Sequence, residues 1–182
     1  MALKDLDTER YSLYHGDEYL SVARHYDVVI KTPGIAMKAD DVVPAVITSQ
    51  TDLFIEAFHK QIIGITGTKG KSTTSSLIYH LLKESGNDVV IAGNIGIPVF
   101  DCLEVINENT IIVYELSAHQ LQYLRRSPHV GILLNVFEEH LDHFVTFENY
   151  KNAKLNITRL MSNEDVAVVN SVLENDIDDG VN

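Results

Sequence analysis

Tryptophan is absent from this 182-residue chain, proline occurs only four times and cysteine once. A single thiol, Cys102, cannot close an internal disulfide, which excludes a cross-linked secreted scaffold and fits a reducing compartment. It follows Asp101 with no recognisable base beside it, and is read as a small buried apolar residue rather than a nucleophile. Basic residues are scarce too: 14 Lys and Arg stand against 26 Asp and Glu, a formal net charge of −12. That balance argues against the cationic surface on which nonspecific binding to nucleic acid or anionic membranes depends. One local cluster of lysine and backbone N–H groups would still suffice for a nucleotide. No apolar run is long enough to span a bilayer, and the opening MALKDLDTER has the charge but not the apolar core of a signal peptide. A cytoplasmic protein without nucleic-acid or membrane partners is expected.

What the chain does have is alternation. DVVIK (27–31), QIIGIT (61–66), DVVIAG (88–93), TIIVYEL (110–116), HVGILLNV (129–136) and DVAVVN (165–170) are short, rich in Val and Ile, and bounded by turn residues. They read as buried strands of a parallel sheet. Between them Ser72–Glu84, Ala118–Leu124 and Phe147–Met161 read as helices. In the first, Leu77, Ile78, Leu81 and Leu82 recur at helical spacing, with Gly86 as the stop. In the last, Tyr150, Ala153, Leu155, Ile157 and Leu160 form a looser apolar face. The fold class predicted is α/β, a doubly wound and mainly parallel sheet. Residues 1–60, with one convincing strand and a second short one at 44–48, are too little for a domain of their own. A boundary is expected near residue 60, with 61–182 as the nucleotide-binding unit and an acidic tail after Val172 that frays.

The chemistry concentrates in GITGTKGKSTT (64–74). A buried strand, a glycine-rich turn and a helix opening at Lys71 or Ser72 make the context of a phosphate loop. Glycines let backbone N–H groups approach phosphate oxygens, and the helix N-terminus adds partial positive charge. Lys71 would reach the β- and γ-phosphates and Ser72 would offer its hydroxyl to Mg²⁺. Gly67, Thr68, Lys69, Gly70 and Thr73 complete the predicted ATP site, with Lys69 equally readable as a solvated lysine. The strict pattern G-x-x-x-x-G-K-S/T is not met, because position 65 is isoleucine.

The spacing T-G-T-x-G-K-S-T resembles instead the loop of the Mur ligase superfamily, ATP-dependent enzymes that build the peptide stem of peptidoglycan. Other stretches carry the same resemblance in the same order, most closely to the glutamate-adding branch. VVIKTPGIAM (28–37) resembles the V-x-S-P-G-I segment that closes the UDP-binding domain, so Thr32, Pro33 and Gly34 are expected against the substrate diphosphate. AGNIGIP (92–98) resembles G-G-N-I-G-x-P, which assigns Asn94 to the muramoyl substrate. VYELSAHQLQ (113–122) resembles E-L-S-S-F-Q-L-E, which makes Glu115 a Mg²⁺ ligand and puts Ser117 on the substrate side. His119 departs from that pattern and is read as a solvated histidine. LLNVFEEHLDHF (133–144) resembles L-N-V/I-x-x-D-H-L/M-D, in which His140 would ligate a second Mg²⁺, with Glu139 in place of the customary aspartate and Asp142 orienting the loop or a metal-bound water. YKNAKLNI (150–157) supplies the A-K pair whose lysine is carbamylated in the family. Lys154 is that position, and a partly desolvated lysine has the neutral amine such chemistry needs.

The resemblance implies an amide ligase. ATP and two Mg²⁺ ions would turn the carboxylate of UDP-N-acetylmuramoyl-L-alanine into an acyl phosphate, which the amine of glutamate then attacks. Lys71, His140 and Lys154 are the expected catalytic residues, and a monomer is expected. Residues 1–60 would be the tail of the UDP-binding domain plus a linker, and 61–182 a partial central domain. On that reading the chain lacks the C-terminal domain and does not turn over alone. A non-catalytic Mg-ATP-binding fragment, or a ligase of the folylpolyglutamate synthase kind, is the alternative.

Overall fold

The computed structural model describes residues 10–15, 19–35 and 46–176. Two compact units divide the chain: residues 1–29 with 37–47, and residues 30–36 with 48–182. In the first, the described residues form a 3-10 segment, Tyr19–His25. A two-stranded sheet joins β1 (Val28–Ile30) to β2 (Val46–Thr48).

The second unit begins before residue 60, and the reason is a helix that the sequence reading passed over. Ser49 caps α1 (Gln50–Phe58) by accepting from the Asp52 backbone N–H. Phe54 and Ile55 of α1 are then buried in the main core with Ile112, Tyr114 and Leu116. Asp52, 1% exposed, accepts from Thr48 Oγ1 at 2.7 Å, from the Arg125 backbone at 2.8 Å and from Arg125 Nε at 2.7 Å. Residues 48–60 are thus part of the packed unit and not a free linker.

Five parallel strands make its sheet: β3 (Ile62–Thr66), β4 (Val89–Gly93), β5 (Ile111–Glu115), β6 (Val130–Leu133) and β7 (Val166–Val169). Their spatial order is β4-β5-β3-β6-β7, so β3 is central. The α/β parallel-sheet architecture is the one expected. Period-2 alternation sends Val113 to one face with Ile65 and Val89, where Ile78, Tyr79 and Leu82 of α2 (Lys71–Glu84) cover them. Ile112 and Tyr114 go to the other face. There α1, Leu121 of α3 (Ala118–Leu121) and Leu155 and Ile157 of α5 (Phe147–Arg159) close a second layer. Leu77 and Leu81, expected on the apolar face of α2, are 55% and 58% exposed, as is Leu160 at 38%. Cys102 is fully buried, as expected, and burial raises its thiol pKa. A short helix α4 (Leu141–Phe144) was not foreseen. Of the predicted tail, Leu173 is buried and Asp176 pairs with Lys151 at 2.6 Å, while residues 177–182 lie outside the described residues. No helix among the described residues is long and apolar enough to cross a membrane.

Candidate active site at the carboxyl ends of the strands

In an open parallel sheet, ligands bind beyond the carboxyl ends of the strands, and the predicted residues gather there. The chain leaves β3 at Thr66, turns through Gly67–Gly70 and enters α2 at Lys71. Gly70 has φ +86°, a left-handed turn that glycine adopts at no steric cost. It caps α2 without a side chain, so the first-turn N–H groups stay open to an anion. Ser72 and Thr73 are exposed on that first turn.

Two lysines converge on one loop carbonyl. Lys71 Nζ donates to Gly67 O at 2.9 Å and to Thr68 O at 3.2 Å. Lys154 Nζ, from the middle of α5, donates to the same Gly67 O at 2.9 Å and to Thr66 Oγ1 at 3.4 Å. Lys154 is 1% exposed. Burial first, and the charge of Lys71 second, lower its pKa to about 7. A lysine in the apolar face of a helix therefore has a substantial neutral-amine fraction near neutral pH, and is aimed at the glycine-rich loop.

The loop is held from behind by residues to which the sequence reading gave no role. Asn135, just past β6, accepts from the Lys69 backbone N–H through Oδ1 at 2.9 Å and donates from Nδ2 to Lys69 O at 2.9 Å. Its own carbonyl accepts from Thr68 N at 3.0 Å. The Thr68 hydroxyl accepts from Phe137 N at 2.9 Å and lies 3.1 Å from Tyr150 OH. Thr68 and Lys69 therefore spend their amide N–H groups inside the protein, and Thr68 shapes the loop with its side chain. Asn135 stood within the L-N-V motif, which was the available signal. Lys69 Nζ, 72% exposed, pairs with Glu139 Oε1 at 2.8 Å. That hydrogen bond holds the Glu139 carboxyl below its usual range.

Glu115 ends β5 beside Ile65 of β3 and Gly93 of β4. It is 2% exposed, and its Oε2 has no hydrogen-bond partner. A buried acceptor left unpaired is costly, and an oxygen donor of this kind suits a hard divalent cation. The residues present thus fit a Mg²⁺ ion. Asn94 lies next to it, its N–H donating to Glu115 O at 3.2 Å. Gly93, with φ +107°, must be glycine, because a Cβ would stand 2.3 Å from Glu115 O.

Ser117 is committed locally. It caps α3 in a reciprocal box with Gln120, its Oγ accepting from Gln120 N at 3.3 Å while Gln120 Oε1 accepts from Ser117 N at 2.9 Å. The S-x-x-Q spacing was the signal for that. His140 has φ 57°, an uncommon conformation for a residue with a Cβ and one that clusters at functional sites. His119 is not the solvated histidine expected. Its ring packs 5.1 Å from that of His140, 4.3 Å from that of His143 and 5.0 Å from that of Phe144. Burial, then the neighbouring His143, lower its pKa to about 4. Lys31 Nζ sits 4.9 Å over the Tyr123 ring and donates to Thr32 O at 3.0 Å. That contact brings the Thr32-Pro33-Gly34 turn to the α3 side of the site. Pro33 has no N–H, so only Thr32 and Gly34 have amides to offer an anion there.

Comparison with known proteins bears on the same residues. The family model for the Mur ligase middle domain matches residues 65–178. A UDP-N-acetylmuramoylalanine–D-glutamate ligase of Acetivibrio thermocellus is 38% identical over 173 residues, covering 92% of this chain and 36% of the relative. Relatives of the same name from Clostridium acetobutylicum and Clostridium botulinum are 36% and 35% identical, with 37% and 39% of their lengths covered. The chain thus spans less than two-fifths of the curated relatives it matches. Among solved structures, the MurF ligase of Thermotoga maritima in complex with ADP superposes on 70% of this chain and 32% of its own, with TM-score 0.50 and 25% identity. The UDP-N-acetylmuramate:L-alanyl-gamma-D-glutamyl-meso-diaminopimelate ligase of Neisseria meningitides does so on 88% of this chain and 58% of its own, with TM-score 0.57 and 19% identity. With the family model matched over more than half of its residues, on the sheet that carries the phosphate loop, this chain belongs to the Mur ligase family.

Proposed function

We propose that this chain is the nucleotide-binding part of an ATP-dependent ligase that joins glutamate to UDP-N-acetylmuramoyl-L-alanine. The convergence of Lys71 and Lys154 on Gly67 O, each at 2.9 Å, carries the nucleotide half of the reading. Lys71 puts a cation beside the helix N-terminus, which is what transferring a phosphoryl group requires, and Lys154 brings a second nitrogen to the same carbonyl. The solved MurF ligase in complex with ADP supports a nucleotide on this loop. Choice of glutamate and of the muramoyl substrate rests on the named relatives and on the GNIGIP and ELSAHQL stretches.

Lys71 would exchange its two loop carbonyls for β- and γ-phosphate oxygens. The amides of Gly70 to Thr73 would hold the remaining phosphate charge. The substrate carboxylate attacks the γ-phosphorus and ADP leaves, giving an acyl phosphate. The glutamate amine then attacks the acyl carbon to form the N–C bond, phosphate departs with the C–O bond electrons, and the amine proton passes to water. Asn94 would bind the muramoyl end and the Thr32 and Gly34 amides the diphosphate, with Pro33 setting their turn and Ser117 holding α3 beside them. Lys154 Nζ adds CO₂: the amine lone pair forms the N–C bond, a C=O π pair moves to oxygen, and the amine proton passes to water. Its depressed pKa supplies the free amine. Ser72, Glu115, His140 and the Lys154 carbamate would hold Mg²⁺, which when bound neutralises charge on the transferred phosphoryl group.

On this reading the residues before Thr48 would belong to the end of a UDP-substrate-binding domain, and the unit that carries β3 and its loop would be part of the central domain. One further reading is a segment that binds Mg-ATP without turnover. Carbon-13 NMR in labelled bicarbonate tests the Lys154 role in this polypeptide: a carbamate signal is expected, and is lost in Lys154→Ala. A spectrum without that signal at pH 8 contradicts the role. ADP release that depends on both UDP-N-acetylmuramoyl-L-alanine and glutamate separates ligase from binding segment.

A further inference from the structure

A second polar cluster lies at the opposite end of the sheet. His59 immediately precedes the turn into β3, His129 precedes β6, and Asp165 precedes β7. These strands are adjacent, in the order β3-β6-β7. Five residues of β3, roughly 16 Å of strand, separate the cluster from the phosphate loop. Asp165 Oδ1 lies 2.9 Å from His59 Nε2 and 2.9 Å from His129 Nδ1, and the three donor atoms fall within 4.8 Å of one another.

Tautomer chemistry makes the arrangement unusual. His59 is 4% exposed, and its Nδ1 faces the Ser127 carbonyl at 3.0 Å. A carbonyl only accepts, so Nδ1 donates to it, and Nε2 is the ring nitrogen left to serve as a ligand. That nitrogen has no hydrogen-bond partner, because the short contact to Asp165 lies outside hydrogen-bond geometry. A ring nitrogen and a carboxylate oxygen this close without a hydrogen bond are placed to share a cation. The supporting groups are in place. Asp165 Oδ2 accepts from Ser162 N and Ser162 Oγ, each at 2.8 Å. Ser127 is held in turn, its Oγ donating to Asn156 O at 2.8 Å and accepting from Leu160 N at 3.0 Å. Burial opposes ionisation of Asp165, but the His129 and Ser162 bonds outweigh it and hold the carboxyl well below its usual range.

The geometry points to a site for a divalent transition-metal ion of the zinc class, bound by His59 Nε2, His129 Nδ1 and Asp165 Oδ1. Two imidazoles and one carboxylate suit zinc and not the oxygen-seeking Mg²⁺ or Ca²⁺. Tetrahedral zinc holds its donor atoms about 3.3 Å apart, so the two 2.9 Å separations would open by a few tenths of an ångström and the two histidine nitrogens, within 4.8 Å of each other, would adjust to the same spacing. A carbonyl behind one histidine and a serine behind the carboxylate are the outer-shell partners such ligands have. His129 also lines a cleft of about 310 Å³ with Lys60, Gln61, Glu108 and Thr110. A water from that cleft would complete the coordination. An ion there would staple the entries of three neighbouring strands, far from the proposed nucleotide chemistry.

The test is titration of the whole chain, stripped with chelator, with Zn²⁺ alone and then with Co²⁺. One ion per chain is expected, with an unfolding temperature raised by several degrees and visible Co²⁺ absorption of a four-coordinate centre. His129→Gln and Asp165→Asn should each weaken binding at least tenfold; the His129 side chain is 30% exposed, so that variant keeps the fold, as circular dichroism would check. His140→Ala should leave the ion in place. No uptake would overturn the assignment, and so would uptake lost in His140→Ala but kept in His129→Gln. Nitrogen-15 spectra of the metal-free chain showing both His59 nitrogens protonated at pH 8, with no zinc uptake, would replace the ion by a buried imidazolium.

Discussion

The two ends of the parallel sheet use polar residues in opposite ways. At the carboxyl ends, groups are left wanting: Glu115 Oε2 is buried without a partner, His140 sits at φ 57°, and Lys154 is a buried amine with its pKa lowered to about 7. At the amino ends, Asp165 is tied by two donors of Ser162 and by His129, and its neighbours Ser127 and His59 are tied to backbone, with His59 Nε2 alone of that cluster left unpartnered. Unsatisfied, strained groups cost stability and are where ligands and chemistry enter. Networks with orienting partners hold strands together. The comparison predicts that substitutions at the lower end cost stability and spare nucleotide binding, and that those at the upper end divide according to whether they touch the loop or its supports.

The largest effect expected is at the lower end. Asp165→Ala removes a 2%-exposed carboxylate from two histidines and should destabilise by about 3–5 kcal/mol. Urea unfolding would read that loss, and Mg-ATP analogue affinity should stay at the wild-type value in the folded protein. A parallel fall in affinity would break the separation of the two ends. Next is Gly93→Ala, whose Cβ would meet Glu115 O at 2.3 Å in a left-handed backbone. A loss of about 2–3 kcal/mol is expected in the same assay. Asn135→Ala should cost about 1–2 kcal/mol, since it breaks both side-chain bonds to the Lys69 backbone, and should also weaken nucleotide binding by freeing the loop.

Lys154→Met sharpens the comparison through pH. The folded chain binds the Lys154 proton with pKa about 7, against an ordinary 10.5. Between those values the unfolded chain holds a proton that the folded chain lacks, so wild-type stability rises with pH across that window. Below pH 7 both states are protonated and the folded chain bears the full cost of a buried ammonium. Lys154→Met should abolish that rise. A variant whose stability–pH curve parallels the wild type would show that Lys154 is not held neutral. The smallest effect is Tyr150→Phe, which removes the 3.1 Å contact with the Thr68 hydroxyl and should cost about 0.5–1.5 kcal/mol.

What could be read in advance follows from how local each signal is. Runs of Val and Ile between turn residues showed all five strands of the sheet, since a strand buried on both faces is apolar along its length. The turn from β3 into α2 was legible because its glycines, lysine and helix start lie within a few residues. The helix Gln50–Phe58 escapes the sequence reading although Ser49 is a good cap, because a boundary near residue 60 leaves it with the end of the preceding domain and its linker. Leu77 and Leu81 were misplaced because a run of paired leucines does not say which side of α2 meets the sheet. His59, His129 and Asp165 were out of reach for a different reason. They lie 70 and 36 residues apart in sequence, and meet only because β3, β6 and β7 are neighbours. Strand order is a long-range property that no local pattern encodes.

The central claim is that the Gly67–Thr73 turn is a working phosphate site with Lys71 as its cation. Calorimetric titration of the 182-residue chain with a nonhydrolysable ATP analogue and Mg²⁺ tests it most directly. The account predicts binding to one site that disappears in Lys71→Ala while circular dichroism shows the fold retained. Affinity unchanged by that substitution, or no binding by the folded wild-type chain, would contradict it.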